Sequence, residues 1–573
     1  MTANALDRQL TQLEACRSRF GPGEAARVAK LLNRLDSARF LDPASLIRLH
    51  EAVLFLRAFP QGPEVVRVTE RVLNAFHKKV ETLRKAGADM DKFDTFEVSG
   101  IAGTQMEDTL SFEVASWLIK HMPGQVEIAW KNYEPGRELA STGPRFIPLL
   151  EDDAYVEADT PWRRWLEAAA GKRNSDPAWL VQRFADLPLP RNQKAELYES
   201  LRVPLRWNLK NSVSTRTRNW KPVRSIFYHS TPLISRSQVS LGDELARRPP
   251  KLTKLSRKKS DEIIDMIREV MLVRYRELYG TTLGDPRSVV RADFGTHQAG
   301  RGVTIYLWSL PPDRRLPLRA YVAGLTLKNG VAINYIEAIG LCEWMEVGFN
   351  TFYTFRGGEA GWIYAQALRC LCHLMGTTCV SVYPYQLGHD NEEAIESGAF
   401  WFYRKLGFRP GLPDLEKLAE HEEQKIAANP KYRTPARTLK RLATGHVFYE
   451  LPGAEVRAWD RFSTRNIGLQ VNRRMARDFG GDAVRMRERA RRAFERMLKV
   501  SPSSWKPLEK TAFENFALVL SQVPGLRTWA QEEKEDLIRI IRAKAYPDEM
   551  LYLHRTQRHA RLRNALLKLG SQS

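Results

Sequence analysis

Residues 353–385 read "YTFRGGEAGWIYAQALRCLCHLMGTTCVSVYPY", and their order decides the fold. "VGFNTFYTF" ahead of it is a strand candidate. "RGGEAG" follows as a glycine-rich turn. "WIYAQALRCLCHLMG" then reads as a buried helix closed by Gly376. "TTCVSVYPY" is a strand again. Strand, turn, helix and strand in succession are the units of an α/β arrangement.

The same grammar extends outward. "LRAYVAGLTL" and "VAINYIEAIGL" are strands joined through Lys328-Asn329-Gly330, a strong hairpin signal. "SIFYH" at 225–229, "VTIYLW" and the late "HVFYEL" read as further strands. Ser260 caps "DEIIDMIREVMLVRYRELYG", whose early acids suit a helix N-terminus. "DNEEAIESGAFWFYRKLGFRP" (390–410) reads as a helix capped by Asp390, with Glu393 three residues on as a capping box requires. The expected fold class is α/β (α+β), a central mixed sheet flanked by helices over residues 225–452.

The flanks are mostly helical. Residues 1–90 carry apolar residues at three- and four-residue spacing, with Gly21-Pro22, Asp42-Pro43 and Gly62-Pro63 as turn-then-helix starts. Residues 91–224 are mixed: "FEVASWLIKHM" and "PWRRWLEAAAG" are helical, and "QVEIAWKNY" alternates like a strand. "GIAG" at 100–103 is a lone G-x-x-G, better explained as a turn than as a phosphate loop. Residues 453–573 return to helix as a basic C-terminal extension.

The 573 residues carry 89 Lys and Arg against 67 Asp and Glu, a formal charge of +22. Such an excess favours nucleic acid, an anionic surface or a phosphorylated ligand, or simply a solvated basic face. Two segments concentrate it. "RWNLKNSVSTRTRNWKPVR" (206–224) contains no acid and interleaves tryptophan with arginine, which suits RNA phosphates and stacked bases or an exposed connector. A second connector, 247–259, reads as a loop because of its prolines. Residues 471–500 hold ten Arg or Lys against four acids, which suits a nucleic-acid backbone.

The five cysteines, Cys16, Cys342, Cys370, Cys372 and Cys379, are odd in number and form no C-x-x-C pair. No disulfide framework and no structural metal site is expected; reduced thiols in a cytoplasmic protein fit the pattern. The first twenty residues lack a signal-peptide core. No run of about 18 apolar residues occurs, so no membrane span is expected.

"YTFRGGEAGWIYAQALRCLCHLMG", "TTCVSVYPY" and "NEEAIESGAFWFYRKLGFRP" together resemble the GNAT superfamily of acyl-CoA N-acyltransferases, over about residues 225–452 and most sharply over 355–410. The resemblance implies acyl-CoA, with acetyl-CoA the simplest donor, as co-substrate, and an amine of unknown identity as acceptor. In that family a strand runs into a loop of the form Q/R-x-x-G-x-G/A. Its N–H groups cradle the coenzyme pyrophosphate at a helix N-terminus. Arg356, Gly357, Gly358, Ala360 and Gly361 occupy that loop here. Phe355 stands where Gln or Arg is expected, and Arg356 is displaced by one. Glu359 would repel the phosphates. The pantetheine arm of the family's coenzyme pairs where the strand before the loop parts from its neighbour, which is here the 379–385 segment.

The resemblance also implies a general acid. Tyr403 in "FYRKLGF" matches the tyrosine that protonates the leaving thiolate, and an ordinary tyrosine is protonated at neutral pH. Asn391 resembles an asparagine near the start of the same helix, though its distance from Tyr403 is a turn too long. A base must take the amine proton, and the nearest carboxylates are Glu337, Glu343 and Glu346. Alternation puts Glu337 on one face with Tyr335 and Ile339, where burial would raise its pKa. His389 is a further candidate. Two alternatives stay open: an aminoacyl-tRNA donor on the same fold, which the departures at Phe355 and Glu359 suit, and a non-catalytic nucleic-acid-binding protein, which the basic segments 206–224 and 471–500 suit.

Overall fold

Asn329 and Gly330 both have left-handed backbone, with φ of 49° and 83°. A two-residue hairpin turn of the favoured twist needs positive φ at both positions, which Asn and Gly tolerate best. They join two long strands, Ala320–Lys328 and Val331–Leu341, as the sequence signal predicts. The Asn329 side chain does a second job. Its Oδ1 accepts from Phe227 N at 2.8 Å, and its Nδ2 donates to Ala58 O and Phe227 O at 2.9 and 3.1 Å. Residues 225–229 are therefore not the strand expected from "SIFYH": a side-chain amide, rather than a ladder, satisfies that backbone.

This computed structural model describes residues 3–95, 97–133, 162–210 and 214–572, with Leu139, Thr142, Gly143 and Phe146. The chain forms two compact units. The first comprises Met1–Pro232, Glu262–Thr282 and Lys328–Ala332; the second comprises Leu233–Asp261, Leu283–Leu327 and Ile333–Ser573.

In the first unit, helices Ala3–Ala15, Glu24–Asp36, Pro43–Ala58, Pro63–Asn74 and Phe76–Lys85 follow the predicted periodicity. Pro43 and Pro63 stand in the first helical turn, where a missing N–H costs nothing. A small antiparallel sheet has the order β1-β3-β2, from β1 (Gln105–Asp108), β2 (Val126–Ile128) and β3 (Leu205–Asn208). The "GIAG" turn is structural: Gly100 (φ 95°) lies so close to Val273 that a Cβ would meet its Cβ and carbonyl oxygen at 2.6 Å.

The acid-free segment 206–224 is a correction. Much of it is packed into the first unit rather than lying as an exposed connector. Its start is the central strand β3, with Trp207 in the core. Ser214, Thr215, Arg216, Thr217 and Asn219 are all buried. Arg216 reaches Glu51 at 3.8 Å and donates to Glu97 O. Arg206 pairs with Glu107 at 2.9 Å and Glu127 at 3.4 Å. Acids missing from the segment are supplied to Arg206, Arg216 and Lys221 by distant parts of the chain.

The second unit is built on a nine-stranded sheet of order β11-β12-β10-β9-β8-β7-β6-β5-β4. Its strands are β4 (Leu252–Lys254), β5 (Val290–Asp293), β6 (Val303–Ser309), the hairpin strands β7 and β8 already given, β9 (Trp344–Thr351), β10 (Cys379–Val382), β11 (Arg409–Pro410) and β12 (Val447–Glu450). The supposed loop 247–259 thus contributes edge strand β4. The helix beyond it, Arg257–Tyr275, starts three residues before Ser260, so Ser260 is a buried helical residue rather than a cap. The crossover helix Ala360–Met375 joins β9 to β10 and ends at Gly376 (φ 66°), as expected. It packs on one sheet face, with Phe349 of β9 edge-on to Tyr364 at 4.9 Å.

The C-terminal helices belong to this unit. Lys544 and Glu549, 5% and 0% exposed, pair at 2.7 Å. Lys544 also donates to Arg319 O at 2.7 Å, and Arg315 donates to the carbonyls of Lys544 and Pro547 at 2.8 and 2.9 Å. The chain entering β7 is fastened to its last helices by buried charge. No helix among the described residues is long and apolar enough to cross a membrane.

Gly330→Ala should lower the unfolding free energy by about 2 kcal/mol, since the new Cβ would strain a positive φ and press on Lys221 O. Chemical denaturation followed by circular dichroism measures this; an unchanged midpoint would contradict the role given to the turn.

Candidate functional site

β9 and β10 run parallel, but only over Trp344↔Cys379, Met345↔Val380 and Glu346↔Ser381. β10 stops at Val382. Tyr383 is still extended (ψ 144°), but Pro384 opens a short helix, Pro384–Leu387. Proline has no N–H to give a ladder, and its fixed φ suits a helix start. β9 continues to Thr351 against β8 alone, with Glu337↔Gly348, Tyr335↔Asn350 and Asn334↔Thr351 in register. The two strands part at Val347.

Successive side chains on a strand face opposite ways, so the parting has two distinct sides. On the crossover-helix side lie Phe349 and Tyr364. Tyr403, on the helix Ala399–Arg404, packs edge-on to Tyr364 at 5.7 Å and to Phe408 at 5.8 Å. Tyr403 is buried, and desolvation alone pushes its hydroxyl above the ordinary tyrosine range. The Tyr364 hydroxyl is fully buried, with no hydrogen-bond partner among the described residues.

On the other side, Tyr335, Glu337 and Ile339 of β8 face Asn350, Gly348 and Glu346 of β9. Tyr321 of β7 donates its hydroxyl to Glu337. Burial raises the Glu337 carboxyl above its usual value, and the Tyr321 hydrogen bond partly offsets that rise. Glu337 has no cationic partner among the described residues. Gly348 keeps space beside it: a Cβ there would lie 3.8 Å from Gln386 Nε2 and 3.9 Å from Glu337 Cβ. Glu346 is committed to His446 at 3.0 Å and to Arg319 at 3.6 Å.

The turn ahead of the crossover helix has a feature the sequence concealed. Glu359 does not face outward. It is fully buried, pairs with Arg301 at 2.5 Å, and accepts from Ile234 N at 3.1 Å. Arg356, Gly357, Gly358 and Ala360 are left exposed or half-buried at the helix N-terminus, whose first N–H groups lack helical acceptors. Gly361 is buried beneath Arg236, whose Cα would sit 3.3 Å from a Cβ there. Arg356 lies over the Tyr353 ring at 3.8 Å and pairs with Glu393.

Other expected residues lie elsewhere or do other work. Glu343 sits at the closed end of the parallel pair. It accepts from Trp459 Nε1 at 2.8 Å and pairs with Arg563 at 2.6 Å, so it is a structural carboxylate. Asn391, not Asp390, caps the following helix: its Oδ1 accepts from Ala394 N at 3.2 Å and its Nδ2 donates to Tyr385 O at 3.1 Å. Asp390 has a positive φ of 53°. The helix expected over 391–404 is two, Glu392–Glu396 and Ala399–Arg404, broken at Gly398 (φ 66°). That break accounts for the overlong spacing from Asn391 to Tyr403. His389 lies beside Asp390 at 3.6 Å, outside the parting. Burial pushes the Cys342, Cys370 and Cys372 thiols up to about 12, which makes them poor nucleophiles. Tyr321, Gln386, Arg301 and Arg236 went unread; only strand register and chain packing bring them here.

A concavity of about 450 Å³ lies in the first unit, lined by Trp130, Lys131, Arg163, Asp176 and Arg206 among others. Its cations Arg163 and Arg206 are already paired, with Glu167 at 2.7 Å and with Glu107 and Glu127. Among the described residues, no group of three or more His, Cys, Asp or Glu is placed to hold a metal ion.

Compared with known proteins, the chain matches no family model, no curated protein and no solved structure.

Glu359→Gln should destabilise the second unit by about 3 kcal/mol, because it leaves Arg301 buried without its counter-charge. Thermal unfolding measures it, and a variant as stable as the parent would contradict the buried pairing.

Proposed function

We propose that the second unit is a GNAT-like N-acyltransferase that moves an acyl group from acyl-CoA to an amine. The observation that carries this reading is the parallel pair β9–β10, which opens after three residues beside the N-terminus of its own crossover helix. A parted strand leaves backbone N–H and C=O groups for an extended amide-bearing chain such as pantetheine. The helix N-terminus favours its phosphates. Glu359 supplies no objection, since its charge is turned inward onto Arg301. That also weakens the case for an aminoacyl-tRNA donor, which rested partly on this residue.

The chemistry divides between the two sides of the parting. The amine nitrogen attacks the thioester carbonyl, forming the C–N bond. Glu337 takes the proton that the amine sheds, directly or through a water. The C–S bond breaks, and Tyr403 gives its proton to the departing thiolate. Desolvation keeps Tyr403 protonated, so that it has a proton to give. The unpartnered Tyr364 hydroxyl adjoins Tyr403, and buried polar groups of this kind ordinarily have partners; a bound donor would supply one.

Titration calorimetry with acetyl-CoA and with desulfo-CoA should show binding of both. No heat and no thermal shift at millimolar ligand would sink the proposal. Glu337→Gln should lower kcat/KM by about 10²–10³. In the parent, the base form of Glu337 appears only as pH rises through its raised pKa. The acid limb of kcat/KM should therefore lie above the usual carboxylate value of about 4.3 and vanish in the variant. A Tyr403→Phe enzyme with full turnover, where chemistry limits the rate, would exclude the acid role.

A further inference from the structure

The basic segment 471–500 is used differently from 206–224. Its second half forms the helix Ala483–Leu498. Met486, Ala490, Phe494 and Leu498 make the buried stripe, and Phe494 packs on Phe513 of the helix Pro507–Leu520 at 5.0 Å. Arg485, Arg489, Arg492 and Arg496 are all exposed. At roughly 100° per residue, their spacing of four, three and four gathers them into a sector of about 60°, turned away from the buried stripe. Arg492 pairs with Glu488. Among the described residues, no carboxylate pairs with Arg485, Arg489 or Arg496.

Like charges three and four residues apart destabilise a helix. Four in a row, with one neutralising acid, work against the fold that carries them. The row is all arginine, whose planar guanidinium grips phosphate through two parallel hydrogen bonds. A membrane-surface helix would offer lipid an apolar face; here that face is consumed by Phe513 and its neighbours, and only charge is presented. We infer that the Arg485–Arg489–Arg492–Arg496 stripe is a docking surface for a nucleic-acid phosphodiester backbone, an activity separate from acyl transfer.

Fluorescence anisotropy with a labelled single-stranded RNA and a labelled duplex DNA of mixed sequence, across a salt series, tests it on the full chain. Replacing all four arginines by Gln should weaken binding and flatten the plot of log K against log salt by about 2.8 for single strands or about 3.6 for duplex DNA. Which probe binds tighter identifies the natural backbone. A second variant with all four arginines changed to Lys keeps the charge and should retain most of the slope, separating charge loss from damage to the helix. The inference is overturned if the Gln variant keeps the parental affinity and slope. It is equally overturned if the parent ignores both nucleic acids yet sediments with phosphatidylserine vesicles through these arginines.

Discussion

β9 and β10 part after Glu346↔Ser381, and Pro384, which cannot donate a hydrogen bond to a strand, keeps β10 from resuming. β10 ends after four residues while β9 continues for five beyond their last paired position. Without the interruption, two parallel strands joined by a buried helix would make an ordinary closed crossover. With it, β9 presents one free edge, Gly348 leaves room beside Glu337, and Tyr364 and Tyr403 line the opposite side. Each of these placements is set by register with β8 or by packing under the crossover helix, and each would mean little if the sheet stayed closed.

The protein's positive charge has two distinct fates. Some arginines of the first unit are drawn inside, where they neutralise carboxylates and bind carbonyls: Arg216 on Glu51 and Glu97 O, Arg57 on Glu70 at 2.9 Å and on Asn329 O at 3.1 Å. Those on the helix Ala483–Leu498 stay outside. Composition treats both alike. Only the location of the acids distinguishes a structural arginine from one left over for a partner.

The central architecture was largely legible. The Lys328-Asn329-Gly330 turn, the crossover helix with Gly376 at its end and the order of strands around them follow from local signals that tertiary context reinforces. Failures came where long-range partners overrode local pattern. "SIFYH" has strand composition, yet the Asn329 amide takes its backbone. Ser260 looks like a cap, yet the helix begins upstream. The tryptophan-arginine run at 206–224 looks like a surface because its counter-ions lie in other segments. The face that Glu337 shares with Tyr335 and Ile339 was readable from alternation alone. Glu343 and Glu346 could not be told apart from Glu337, because their partners Arg563 and His446 lie a hundred residues or more away. Glu359 misled for the same reason: its partner Arg301 is remote in sequence.

The fastening of Arg315, Lys544 and Glu549 bears on how the chain is made. A ribosome emits residues in order, and early segments generally fold first. The loop entering β7 emerges more than two hundred residues before the acid that neutralises it. Until Glu549 arrives, burying Arg315 would strand a positive charge in the interior. The start of β7 therefore gains its full neutralisation only once Glu549 has been made.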